Sequence, residues 1–96
     1  MITVHKYILD FNSAPQATVF IPQGGEILDC QVQDADIVIW ARVNTDLAGS
    51  SRGFRMFDTG ESMGTGPVKG WQWQHLATLQ LHGGRVGHIF EGVLAT

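Results

Sequence analysis

The sequence predicts an all-β fold: one small antiparallel β-sandwich or barrel of about seven short strands, spanning residues 1–96 and ending in a Gly-Gly hairpin. Three observations predict it. Runs of alternating apolar and polar residues recur at the short, even spacing of sandwich and barrel strands. No apolar pattern of helical period lasts more than about a turn. The last quarter, from Ala77 to Glu91, carries two alternating runs around Gly83-Gly84, a pair suited to two-residue turns with positive φ.

The strands follow in order. Ile2 to Phe11 alternates, with Val4 and Ile8 on one face and His5, Tyr7, Leu9 and Phe11 on the other. Asn12-Ser13-Ala14-Pro15 is a turn, since proline fixes φ and Asn and Ser favour turns. Ala17 to Ile21 is a short strand closed by Pro22-Gln23-Gly24-Gly25. Glu26 to Gln33 sets Leu28, Cys30 and Val32 against Asp29, Gln31 and Gln33. After Asp34-Ala35-Asp36, Ile37 to Val43 is apolar on both faces, so it is expected to be the most central strand. Asn44 to Arg52 reads as a polar loop, Gly53 to Thr59 as a strand, and Gly60 to Gly70 as a glycine-broken irregular stretch. Trp71-Gln72-Trp73 leads into the closing hairpin.

With Gly83 and Gly84 as the turn, Leu79 pairs with His88 and Thr78 with Ile89. One face then carries Ala77, Leu79, Leu81, Val86, His88 and Phe90, and reads as core. The other carries Thr78, Gln80, His82, Arg85, Gly87, Ile89 and Glu91. A slip of one residue would reverse one strand against the other.

Ninety-six residues make one domain with one core. The chain is 44% hydrophobic and 16% charged, which is globular material with a weakly repulsive surface suited to self-association into a homo-oligomer. Its net charge is −3 and it has no basic run, so neither duplex nucleic acid nor an anionic membrane is an expected partner. The single cysteine, Cys30, reads as a buried small hydrophobe. No secretory pattern opens the chain and no apolar run reaches membrane-spanning length, which together with the lone thiol points to the reducing cytoplasm.

No motif compels chemistry. The four histidines, His5, His75, His82 and His88, show neither His-x-His nor His-Glu-x-x-His, and no close cysteine pair accompanies them, so neither metal nor cofactor is expected. Gly60, Gly64 and Gly66 precede no helix, so they do not form a phosphate loop. Arg42, Arg52, Arg55 and Lys69 flank the middle strands; where such cations converge, guanidinium groups bind phosphate. Trp40, Trp71 or Trp73 could then stack on a base. Gln31, Gln33, Gln72, Gln74 and Gln80 could read polar ligand edges or seal a subunit interface without desolvating a charge.

An ordered series of short motifs carries a resemblance. It runs through Lys6-Tyr7-x-Leu9, Ile21-Pro22-x-Gly24, Glu26-Ile27-Leu28, Gln31-Val32-Gln33 and Trp40-Ala41-x-Val43. It continues through Arg52-x-Phe54-Arg55, Thr59-Gly60, Thr78-x-Gln80-x-His82-Gly83-Gly84 and His88-x-Phe90-Glu91. The chain resembles a group of small, largely uncharacterised proteins found mainly in bacteriophages and prophages. Pro22-Gln23-Gly24-Gly25 and the Trp-rich 71–73 segment depart from the group's pattern. The resemblance implies a phage accessory setting and transfers no catalytic residue. By analogy with phage proteins that sequester nucleotide signals of bacterial immunity, it implies stoichiometric binding.

The sequence reading is therefore a non-enzymatic, homo-oligomeric binding protein, in its most concrete form an anti-defence sponge for a nucleotide-derived signal. Arg42, Arg55 and Lys69 would hold phosphate, Trp40 or Trp71 would stack, and Gln80 and His82 would read polar edges. The alternative is a structural or virion-associated module whose glutamine face and Trp71/Trp73 contact protein. A third reading is a hydrolase centred on His82 and Glu91.

Overall fold

A computed structural model describes residues 1–95. The chain forms seven strands: β1 (Ile2–Leu9), β2 (Gln16–Pro22), β3 (Glu26–Gln33), β4 (Asp36–Asn44), β5 (Gly49–Asp58), β6 (Trp71–Gln80) and β7 (Val86–Leu94). They build two antiparallel sheets, one ordered β1-β4-β3 and the other β2-β5-β7-β6. The fold is a sandwich rather than a closed barrel, with the two sheets stacked on one core. Among the described residues no helix is long and apolar enough to cross a membrane.

The core follows from period-2 alternation. Tyr7 and Leu9 of β1, Ile21 of β2, Ile39, Ala41 and Val43 of β4, Phe54 and Met56 of β5, and Ile89 of β7 point between the sheets. As expected, β4 is the central strand of its sheet. Its second apolar face has a separate cause. Lys6 Nζ donates to Gln33 Oε1 at 2.9 Å, and the line between them crosses β4 at Val38, which is 1% exposed. The aliphatic stem of Lys6 thus covers an outward valine while its ammonium stays in water.

Two bulges re-aim side chains. In β3 the register shifts between Ile27 and Asp29, so Ile27 and Cys30, three apart, both face the core, while Leu28 and Val32 are exposed. Asp29 Oδ1 accepts from the Cys30 amide at 2.8 Å beside the bulge. In β6 the shift lies between His75 and Ala77, and Leu76 and Ala77, adjacent in sequence, both pack on the core.

The closing hairpin corrects the expected register. Thr78 pairs with His88 and Leu79 with Gly87, one residue away from the two-residue-turn alignment. The reason is the loop. Gly83 and Gly84 do take positive φ, 75° and 77°, but inside a 3₁₀ turn at His82–Gly84. That turn is closed by the Leu81 amide donating to the Arg85 carbonyl at 2.7 Å. β7 is therefore reversed against β6: Ile89 and Glu91 are buried, and His88 faces outward.

A second correction concerns Gly49-Ser50-Ser51-Arg52, expected as loop. It is the first half of β5, because Pro22, Ile21, Phe20 and Val19 of β2 pair with it one for one. Pairing with a neighbouring strand overrides the turn preference of Gly and Ser.

The Thr59–Gly70 segment folds over the outer face of the four-stranded sheet. The Trp73 indole Nε1 donates to the Met63 carbonyl at 3.1 Å. Phe57 packs edge-on to Trp73 and Phe90, with ring centroids 5.3 and 5.7 Å away. On the same face His88 lies between two hydroxyls, with Thr59 Oγ1 2.8 Å from Nε2 and Thr78 Oγ1 3.0 Å from Nδ1. The polar partners of His88 are thus threonine hydroxyls on an outer face, where the expected register made it a core residue.

Candidate functional site

A concavity of about 520 Å³ opens at the end of the sandwich where β1 leaves, β3 turns into β4 and β6 turns into β7. That volume is in the range of small-molecule sites. Its floor is apolar: Leu9, Phe11, Ile37, Met56 and Leu81. Its rim is polar: Asp10, Asn12, Asp36, Gln80, His82 and Arg85.

The local geometry explains the rim. Asp34 and Ala35 take positive φ, 51° and 70°, making the tight β3–β4 turn that carries Asp36 to the rim. Asp10 Oδ1 accepts from the Asn12 amide at 3.0 Å, which bends the chain after β1 and turns Phe11 toward the cavity. The 3₁₀ turn holds His82 and Arg85 above Leu81.

A second concavity, about 430 Å³, adjoins the first and shares Phe11, Asn12, Met56 and Arg85 with it. It adds Arg55, Asp58 and Glu61. Arg85 Nη2 donates to Asp58 Oδ1 at 3.1 Å, and both side chains are exposed. Arg55 Nη2 donates to Glu61 Oε2 at 2.6 Å, and its guanidinium carbon lies 4.5 Å from the Phe57 ring centre. Arg55 Nε is buried without a hydrogen-bond partner. The two concavities form one groove with Asp10 and Asp36 at one end and two guanidinium groups at the other.

Of the residues expected to bind a ligand, Arg55, Gln80 and His82 meet in this groove. The remaining four do not. Trp40 and Arg42 sit on the outer face of the three-stranded sheet, where Arg42 pairs with Glu26. Trp71 lines a separate groove on the outer face of the four-stranded sheet, and Lys69 lies exposed in the Thr59–Gly70 segment. The expected convergence of Arg42, Arg55 and Lys69 with a tryptophan is therefore replaced by a smaller set. Arg85, Asn12, Asp10 and Asp36 were absent from the expected set. The one signal pointing to Arg85 was its place beside Gly83-Gly84 and His82.

Arg52 has a structural place. It donates from Nε to Glu91 Oε2 at 2.6 Å and from Nη2 to Glu91 Oε1 at 2.9 Å, and Nη1 donates to the Gly25 carbonyl. This fork ties β5 to β7 and to the β2–β3 turn. It also separates Glu91 from His82, which stands in the loop beyond the far end of β7, so the pair assigned to a hydrolytic centre is not assembled. Burial, and then Asp29, push the Cys30 thiol up to about 12, which leaves it protonated and inert at neutral pH. No group of three or more His, Cys, Asp or Glu side chains is placed to hold a metal ion among the described residues.

Fold and groove together define a small two-sheet antiparallel β domain with a ligand-sized groove between its loops. The chain belongs to the family described as Domain of unknown function (DUF7352), which matches residues 1–95. No curated protein and no solved structure matches it.

Proposed function

We propose that this protein is a non-enzymatic binder that holds a small ligand with an apolar or aromatic body and an anionic group in the groove between the β1, β3–β4 and β6–β7 loops. One observation carries the reading: Arg55 and the distant Gln80-Leu81-His82 stretch line two adjoining concavities joined through Phe11, Met56 and Arg85. The apolar floor takes the flat body of the ligand. Asp10, Asp36, Asn12 and Gln80 accept from or donate to its polar edge. Arg85 and Arg55 take the anion. The Arg85–Asp58 pair is exposed, and pairs of that kind are worth about 0–1 kcal/mol, so a phosphate displaces the carboxylate at little cost.

A nucleotide has this combination of base and phosphate. In the phage setting that the sequence resemblance implies, a binder without turnover acts as a sponge for a nucleotide-derived signal. Binding rather than catalysis is supported by the rim itself, where each guanidinium already faces a carboxylate.

The test is native mass spectrometry and thermal shift with mono-, di- and cyclic nucleotides and inorganic phosphate as probes. At least one nucleotide should raise the melting temperature and be recovered unchanged. Arg85→Ala and His82→Ala should each abolish that shift while leaving the ligand-free melting temperature within a few degrees. An equal shift in both variants, or no shift with any probe, overturns the assignment.

A further inference from the structure

We propose that the outer face of the four-stranded sheet, at the end away from the ligand groove, docks a second copy of this chain. Strand register places the residues. Phe20 of β2 pairs with Ser51 of β5, and Trp71 of β6 pairs with Leu94 of β7, all on the outer face. The next row holds Gly53 and Gly92 with Trp73. The Thr59–Gly70 segment covers the middle of this face, with Pro67 seated on Gly92, but leaves the end row open.

The result is a groove of about 490 Å³ over Ser51, Gly53 and Gly92, walled by Pro67, Val68, Trp71 and Leu94. Its floor is flat because a Cβ built on Gly53 meets nothing within 4 Å. Beside it stands Phe20, 70% exposed on the edge strand. One face therefore carries both an aromatic knob and a hole that accepts one. That combination is self-complementary: a two-fold axis seats each Phe20 in the groove of its partner, and the contact closes as a dimer.

The area fits. Phe20 is 70%, Leu94 64% and Trp71 40% exposed in one row, and Val68 beside them in the Thr59–Gly70 segment is 63% exposed, large values for side chains of this type. Taking about 150–250 Å² as a full aromatic side chain, the four expose roughly 400 Å² per copy. Face to face they bury on the order of 800 Å² before any rim is added, and the rim brings the contact toward the ~1,200 Å² where specific interfaces begin. Charge does not oppose the approach. The charged side chains of the strands beneath the groove, Arg52 and Glu91, turn to the inner face of the sheet and are bonded to each other. The dimer leaves the ligand groove free, because that groove lies at the opposite end of the strands.

Sedimentation velocity on the full chain, over about three decades of concentration up to ~0.5 mM, tests the proposal. The wild type should pass from monomer to a discrete dimer. Phe20→Asp should raise the dimer dissociation constant at least about a hundredfold, since it places a charge in a dry contact. Phe20 is exposed, so the far-UV spectrum and melting temperature of the monomer should hold. Leu94→Glu should have the same effect from the other side of the groove. A wild type that stays monomeric throughout overturns the proposal, and so does a dimer unaffected by both variants. A monomeric wild type that instead binds an apolar peptide at Trp71 would reassign the face to a different partner.

Discussion

Replacing Arg52 by alanine should be among the most damaging single changes to the stability of this domain. It removes two hydrogen bonds to Glu91 and one to the Gly25 carbonyl. It also leaves the Glu91 carboxylate, 6% exposed, without a counter-charge. Breaking a buried pair from one side costs about 3–5 kcal/mol. Arg52 itself is 23% exposed, so water reaches the emptied side, and the lower end of that range, about 3 kcal/mol, is expected. A domain of this length has a total stability of about 5–14 kcal/mol, so the loss is a large share. The melting temperature should fall by about 12–24 °C. Urea unfolding followed by tryptophan fluorescence reads the loss directly, as a lower midpoint at unchanged slope. The matched control is Arg42→Ala. Its pair with Glu26 has side chains 59% and 57% exposed, and such pairs contribute about 0–1 kcal/mol. The double change Arg52→Met with Glu91→Leu should recover much of the loss, because it removes the stranded charge. If Arg52→Ala and Arg42→Ala shift the midpoint equally, the reasoning from burial is wrong.

Three further outcomes follow from local geometry. Ala35 holds a φ of 70° in the β3–β4 turn, a conformation that costs an L-residue with a side chain about 1 kcal/mol, so Ala35→Gly should raise the melting temperature by about 4–8 °C. A drop in melting temperature would show that the turn is not strained. For Cys30, reaction with a disulfide reagent should be limited by unfolding; reaction at the rate of a free thiol would refute its burial. Its thiol sits at about 12 in the fold against 9.0 for the free group. The unfolded chain therefore releases that proton first. Its contribution to stability is full below pH 9 and declines as pH rises toward about 12, an alkaline loss that Cys30→Ala should diminish.

The sequence shows where strands lie better than it shows how they meet. The expected centrality of β4 holds because its apolar runs are real on both faces, one against the core and one under the stem of Lys6. The hairpin register is not legible, because a bulge at Leu76 and a five-residue loop leave the alternation looking regular on each strand alone. The same limit applies to the site. Gln80 and His82 were legible as a polar end to an apolar strand. That Arg55 joins them while Arg42 does not depends on which sheet each strand enters, and alternation carries no information about that. Phe11 and Met56, which join the two halves of the groove, are ordinary apolar positions in the sequence.

The order of the strands also sets how the chain must be assembled. β1 pairs with β4 and β2 with β5, so each of the first two strands meets the start of its partner only after 26 further residues have been made. The chain passes from one sheet to the other after β1, again after β2 and again after β4. The three-stranded sheet has all its strands once β4 is made, whereas the four-stranded sheet waits for β5, β6 and β7. Closing such long loops precedes the contacts that reward it, which places folding on the millisecond-to-second scale of sandwiches with distant pairings. During synthesis the first thirty-five residues emerge as three β-prone segments, β1 to β3, none of which yet has its mate. The uncovered edge and Phe20 of β2 are then available to any neighbouring nascent chain. A protein made quickly and in quantity from this sequence therefore faces its main hazard before β5 appears, not after it has folded.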